Sequence, residues 1–196
     1  MVRELANDAA LRGKVIPLAF HVDYWDRLGW RDPFSSPAWT HRQQFYVRAL
    51  ALPSAYTPQM VVNGARQFVG SNGHALDAAL AEESRQAPFG TVRVSATRGN
   101  ALNVSVSATV TSPQPTDVVV AVVENGISTK VTAGENGGST IDNDAIVRRL
   151  VRVATGSVET TLSIPLDKAW NPSRLGVVAF LQDRKTLRIR GAAVAR

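Results

Sequence analysis

The apolar positions change rhythm once along this chain. Before about residue 88 they recur mainly at helical spacing, and after it they alternate. Val2, Leu5, Ala6 and Ala9 lie three or four apart, which predicts a helix that Gly13 stops. Val15 to Phe20 is a short apolar run of strand length. Ser36-Pro37 signals a helix start, because proline at the first helical position lacks only an N–H that would be unpaired there anyway. That helix is predicted to reach about Leu50, with Pro53 preventing its continuation. Met60 to Asn63 and Arg66 to Val69 flank Asn63-Gly64, the strongest short hairpin signal there is. A last helix follows Ser71 and Asn72, with Leu76, Ala79, Leu80 and Glu83 at helical spacing.

Ala87-Pro88-Phe89-Gly90 breaks this pattern, and strand signals follow. Leu102, Val104, Val106, Ala108 and Val110 alternate with Asn103, Ser105, Ser107 and Thr109, the period of a half-buried strand. Val92 to Ala96, Val118 to Val123, Ile146 to Val153, Val158 to Ile164, Leu175 to Leu181 and Leu187 to Val194 are further strand candidates. Turn residues such as Gly99-Asn100, Asn125-Gly126, Gly137-Gly138 and Asn171-Pro172 separate them. The expected class is α+β, with an α/β domain over residues 1–88 and an antiparallel β-sandwich over residues 89–196.

Composition narrows the function classes. At 44% hydrophobic and 19% charged residues the chain is not of the disordered kind, and no apolar run is long enough for a membrane-spanning helix. It contains no cysteine, so disulfides, thiolate metal sites and a cysteine nucleophile are absent from this sequence. The net charge of +6 and pI near 10.3 suggest nucleic acid, but the distribution argues against it. Up to Pro88 there are 9 Lys/Arg against 8 Asp/Glu, and from Phe89 onward 13 against 8, including Arg148, Arg149, Arg152 and Arg184. Aromatic residues divide the other way, ten of thirteen lying between Phe20 and Phe68. Nucleic-acid modules interleave rings and cations, whereas here they are segregated.

The densest chemistry is His21-Val22-Asp23-Tyr24-Trp25-Asp26, continuing to Gly29-Trp30-Arg31-Asp32-Pro33. It follows the Val15–Phe20 run, and loops at the carboxyl ends of strands are where α/β folds hold ligands. If the strand continues, His21 and Asp23 share a side, so a carboxylate could orient the imidazole. The alternative is structural: both residues fix the loop while Trp25 and Trp30 cover the core. A metal site needs further ligands, and His41 and His74 are not at ligand spacing, so no metal or cofactor is expected.

In Tyr56-Thr57-Pro58-Gln59-Met60, Pro58 cannot donate to a ladder and must stand at a strand start or edge. A cis Thr57-Pro58 bond would expose the backbone of Thr57 to a partner, although on the residues alone an ordinary turn is favoured. Gly134-Glu135-Asn136-Gly137-Gly138 reads as a flexible turn, since no βαβ unit surrounds it to make a phosphate loop. Asn103-Val104-Ser105 matches a glycosylation sequon inside a predicted strand. Arg188 and Arg190, alternating with Leu187 and Ile189, read as the charged outer face of an edge strand.

The stretches Ala19 to Asp26, Leu28-Gly29-Trp30, Asp32-Pro33-Phe34 and Tyr56 to Gly64 together resemble the bacterial domain-of-unknown-function family 1223. Gly134 to Gly137 and Val147-Arg148 to Val151 resemble that family's β-rich C-terminal part, so the likeness spans nearly the whole chain. The resemblance implies secreted or periplasmic proteins with a thioredoxin-like domain. It makes Pro58 the cis-proline, Met60 to Val69 the final hairpin and Val15 to Phe20 the second core strand. It also implies a preceding strand and a C-x-x-C pair, which this sequence lacks.

The missing strand would lie in mid-sheet, leaving backbone groups unpaired at roughly 1–3 kcal/mol each. Against a net stability of about 5–15 kcal/mol, that is a serious loss. The expectation is therefore a truncated domain, with Met1 lying inside an existing helix. Met1 to Asp8 also reads as no secretory signal, because Glu4 and Asp8 interrupt any apolar stretch; on the chain as written a cytoplasmic location is the alternative.

Dithiol exchange needs a thiolate, so the chain as written is expected to be redox-inactive. The leading expectation is a binding role, with His21, Asp23, Tyr24, Trp25, Trp30, Thr57 and Pro58 forming a site for an extended peptide or small ligand. Two alternatives stand beside it. One is the inactive remainder of a thiol–disulfide oxidoreductase, and the other is a basic module that binds an anionic polymer.

Overall fold

The computed structural model describes residues 2–9, 11, 13–134 and 137–195. It is a mixed fold of few helices and many antiparallel strands. Among these residues three α-helices, α1 (Val2–Asn7), α2 (Pro37–Ala49) and α3 (Gly73–Glu83), and one hairpin, β1 (Gln59–Val62) with β2 (Arg66–Val69), make up the first part. Ser36 caps α2 by accepting the Ala38 N–H, and Asn72 caps α3 by accepting the Ala75 N–H, as the sequence signals implied. Asn63 and Gly64 carry φ values of 49° and 65° at the hairpin tip, the left-handed backbone that an Asn-Gly pair supplies.

Nine strands follow: β3 (Gly90–Arg98), β4 (Ala101–Val110), β5 (Thr116–Glu124), β6 (Ile127–Lys130), β7 (Thr140–Asn143), β8 (Ile146–Thr155), β9 (Val158–Pro165), β10 (Leu175–Asp183) and β11 (Ile189–Ala195). They form a four-stranded sheet in the order β11-β10-β5-β8, a three-stranded sheet β3-β4-β9, and the separate hairpin β6-β7, all antiparallel. The inward residues Leu102, Val104 and Val106 of β4 share one core with Val118, Val120 and Val122 of β5, all 0–1% exposed. The seven longer strands lie at the strand candidates of the sequence. β6 and β7 were not anticipated, being only four residues each and mostly polar or exposed.

The N-terminal part lies on the other face of the four-stranded sheet. Ile16, Leu18, Phe20 and Trp39 pack with Val119, Ala121, Val123, Val178 and Phe180. Here one expectation is corrected. Val15 to Phe20 is extended but belongs to no sheet, making a single parallel bridge from Ala19 to Ile146. Ala19 donates to the Ala145 carbonyl at 2.8 Å and accepts from the Val147 N–H at 2.9 Å. Pro17 has no N–H to extend a ladder, and its neighbours Ile16, Leu18 and Phe20 turn their side chains into the shared cluster.

Arg190 departs from the outer-face reading as well. It is half-buried, its guanidinium 5.7 Å from the Phe89 ring centroid, while Arg188 is exposed. Of the glycine-rich turn, Glu135 and Asn136 lie outside the described residues, as does Met1. No helix among the described residues is long and apolar enough to cross a membrane.

Candidate functional site

The loop 21–36 wraps across the start of α2. His21 Nδ1 faces Asp32 Oδ2 at 2.7 Å, and a carboxylate can only accept, so that ring nitrogen carries the proton. The orienting carboxylate is therefore Asp32 and not Asp23. The chain bends at Asp23 instead of continuing as a strand, which removes the shared side that the spacing suggested. Asp23 instead accepts from the Thr40 hydroxyl at 2.5 Å, while its own N–H donates back to that oxygen at 3.1 Å.

Burial opposes ionisation of Asp32. The hydrogen bonds from His21 and from the Phe34 N–H, together with the His21 charge, outweigh it and hold the carboxyl below the ordinary aspartate value. Asp26 completes the loop, accepting from Ser35 Oγ at 2.7 Å and from the Asp32 N–H at 3.2 Å. The Phe34 ring stands edge-on to His21 at 5.5 Å and lies under the Arg148 guanidinium at 5.1 Å. Arg148 in turn pairs with buried Glu124 at 3.4 Å, tying the loop to β5 and β8. Among the described residues the His21 side chain has one hydrogen-bond partner, Asp32, and no hydroxyl stands in line to act as a nucleophile. Nor do three His, Asp or Glu side chains among them meet as a metal would need.

The second half of the loop meets the hairpin. The Trp25 indole N–H donates to Thr57 Oγ1 at 2.9 Å, and its ring lies 5.3 Å from that of Tyr24. Trp25 is 47% exposed, and Thr57 and Pro58 are exposed beside it. The Thr57-Pro58 bond is cis, as the family resemblance implied and the residues alone did not. Pro58 is backed by Gly70, whose N–H donates to its carbonyl at 2.8 Å. A methyl at Gly70 would stand only 3.1 Å from the Pro58 Cβ.

Below this surface runs a hydrogen-bond network that sequence reading missed. Gln43 accepts from the Tyr24 hydroxyl at 3.0 Å and donates to the Tyr56 carbonyl at 2.8 Å and to Gln59 at 3.1 Å. The Tyr56 hydroxyl bonds Gln67, and burial pushes it above its ordinary value. One signal was available: Gln43 stands between buried Trp39 and Tyr46 at spacings of four and three, a polar residue on an apolar helix face.

The structure thus joins Tyr24, Trp25, Thr57 and Pro58 into one surface. His21 and Asp23 lie deeper, each holding the loop to its own partner. Trp30 is half-buried, and among the described residues no hydrogen bond or ring contact joins it to the other six.

Comparison with known families settles the affiliation. The profile of the family described as "protein of unknown function (DUF1223)" matches residues 1–182. The chain belongs to that family. Among solved structures it is similar to protein AGR_C_4864 from Agrobacterium tumefaciens, with a TM-score of 0.74 and 25% identity, over 98% of this chain and 83% of that one. A second match, a domain of the outer membrane lipoprotein Omp28 from Porphyromonas gingivalis, has a TM-score of 0.31 and 16% identity over 54% of this chain and 93% of that one. No curated protein matches.

Proposed function

We propose that this DUF1223 protein is a binding protein of the cell envelope that holds an extended peptide on the surface formed by Tyr24, Trp25, Thr57 and Pro58. In this reading residues 1–88 are a thioredoxin-like unit, and residues 89–196 are a β-sandwich that supports it. The observation that carries the proposal is the Trp25–Thr57 hydrogen bond, which fixes a half-exposed indole beside an exposed turn. Trp and Tyr in such a position supply large, rigid contact area at low entropic cost.

The backbone of Thr57 makes no backbone–backbone hydrogen bond among the described residues, so its N–H and C=O are free to pair with an added strand. Redox exchange is no part of the proposal, because the sequence has no cysteine. The envelope location rests on the resemblance to predicted secreted proteins.

The test is a titration of the full chain with labelled, unstructured peptides of mixed sequence, read by anisotropy. Trp25→Ala is expected to weaken binding by about tenfold or more, the scale of an aromatic anchor, while the melting temperature stays close to that of the parent. Equal affinity for the two proteins would remove this surface as the site.

A further inference from the structure

We infer that a second surface of this protein binds short acidic peptide segments that carry an apolar side chain beside their carboxylates. The surface is an open groove of about 270 Å³ between α2 and the turn joining β10 to β11, lined by Phe45, Arg48, Ala49, Arg184, Lys185 and Leu187. Half of these residues are cations and none is acidic. Phe45 leaves 55% of its surface in water, with the Arg48 guanidinium 4.8 Å from its ring centroid. Arg184 has a partner, Asp117, at 3.6 Å. Among the described residues Arg48 and Lys185 have no carboxylate partner, so two cations without a counter-charge stand beside an apolar floor.

The wall of the groove is held in place by its own hydrogen bonds. Asp183 Oδ1 accepts from the Lys185 N–H at 2.9 Å, the Thr186 N–H at 2.6 Å and the Thr186 hydroxyl at 2.8 Å. Leu187 sits at φ 60°, a left-handed conformation that a bulky side chain rarely adopts. Its surroundings enforce this. The Leu187 N–H donates to the Asp183 carbonyl at 3.0 Å, and its carbonyl accepts from Gln182 Nε2 at 2.8 Å. Gly64 backs directly on that carbonyl, where a Cβ would lie 2.0 Å from the oxygen. Over-determined residues of this kind cluster at binding surfaces, and here the enforced residue lines the groove.

The lining chooses among anionic partners. Guanidinium forks match carboxylates in geometry as well as charge, and Phe45, Ala49 and Leu187 offer a seat to an apolar side chain. Single-stranded nucleic acid fits less well, since it calls for a cationic track with successive stacking rings. This groove has one ring, and Arg48 already covers one of its faces. The groove is separate from the Trp25–Thr57 surface, because Phe45 follows Gln43 by two positions, roughly 200° around a helix of 3.6 residues per turn.

The experiment is anisotropy with a fluorescein-labelled hexapeptide of alternating Glu and Leu, its Gln/Leu counterpart, and labelled oligothymidine, at about 0.05 M and about 0.5 M salt. The Glu/Leu peptide is expected to bind at low salt and to lose most of its affinity at high salt. The Gln/Leu peptide is expected to bind about tenfold or more weakly, and Arg48→Gln combined with Lys185→Gln to cost about five- to tenfold. Both cations are exposed, so the double variant should melt as the parent does. No binding of the acidic peptide, equal binding of the Gln counterpart, an unaffected double variant, or tighter binding of oligothymidine would each overturn the inference. Trp25→Ala should leave the salt-sensitive share of this binding unchanged, which keeps its outcome distinct from that of the first site.

Discussion

The stretches before and after residue 88 bury their apolar residues in different ways. The later one closes a core by itself, where β4 faces β5 and β10 through side chains that are almost entirely hidden from water. Among the described residues the earlier one holds only Val62, Leu76 and Ala79 as a buried cluster of its own, each 5–8% exposed. Its largest buried side chain, Trp39, packs against β5 and β10 instead. The four-stranded sheet therefore serves two cores, one on each face. Of its central strands, β10 is buried at every position and β5 at every position but Asp117, whereas β4 alternates. The first stretch depends on the second for burial, while the second has only one of its faces covered by the first.

The sharpest way to break this comparison uses a β5 side chain that points into the closed core. Val120 faces β4 and is fully buried, so Val120→Asp puts an uncompensated carboxylate into the closed core. Burying a charge that way exceeds a typical net stability of about 5–15 kcal/mol, and the chain should fail to fold cooperatively. Far-UV circular dichroism with thermal melting reads this directly. A parental melting curve for that variant would refute the placement of the core.

Trp39→Ala should cost less and act locally. Removing a buried tryptophan costs about 3–5 kcal/mol, and here the loss falls on the contact between the helical region and the sheet. Amide hydrogen exchange should speed up in α2 and in residues 15–20, while the amides of β4 and β9 keep their protection. Equal loss in β4 and β9 would mean the two stretches unfold as one and share one stability.

Much of this asymmetry was written in the sequence. Val118 to Val123 and Leu175 to Leu181 are continuous apolar runs, the pattern of a strand covered on both faces, while Leu102 to Val110 alternates as a one-sided strand does. Helix caps and the Asn63-Gly64 turn were legible because each depends on a few adjacent residues. What was not legible depends on distant partners. Val15 to Phe20 has strand composition, but whether it pairs is decided by the neighbour it reaches, and it reaches only Ala145 to Val147.

The candidate site divides the same way. Its exposed part, Trp25 with Thr57 and Pro58, was named from local motifs. Its support, Gln43, Gln59 and Gln67, was not, because glutamines carry no local signature and acquire a role only when three elements meet. The partner of His21 follows the same rule: spacing points to Asp23, and only the folded loop brings Asp32 near.

That His21–Asp32 contact gives the smallest of the expected effects and the one with a pH signature. Asp32→Asn keeps an acceptor for the Phe34 N–H, which the aspartate meets at 2.9 Å, but removes the charge facing His21. The carboxyl titrates lower in the folded chain than in the unfolded one, so its contribution is complete above the unfolded value and is lost as pH falls through the folded one. The side chain is 22% exposed, so solvent screening trims the contribution to on the order of 1 kcal/mol. Denaturant melts of the parent and of Asp32→Asn should therefore differ by a constant amount near neutral pH. The gap should narrow from about pH 4 downward, where an ordinary aspartate begins to protonate. A gap that holds its size down to acid pH would show that the loop is fixed by packing around Phe34 and not by the charge on Asp32.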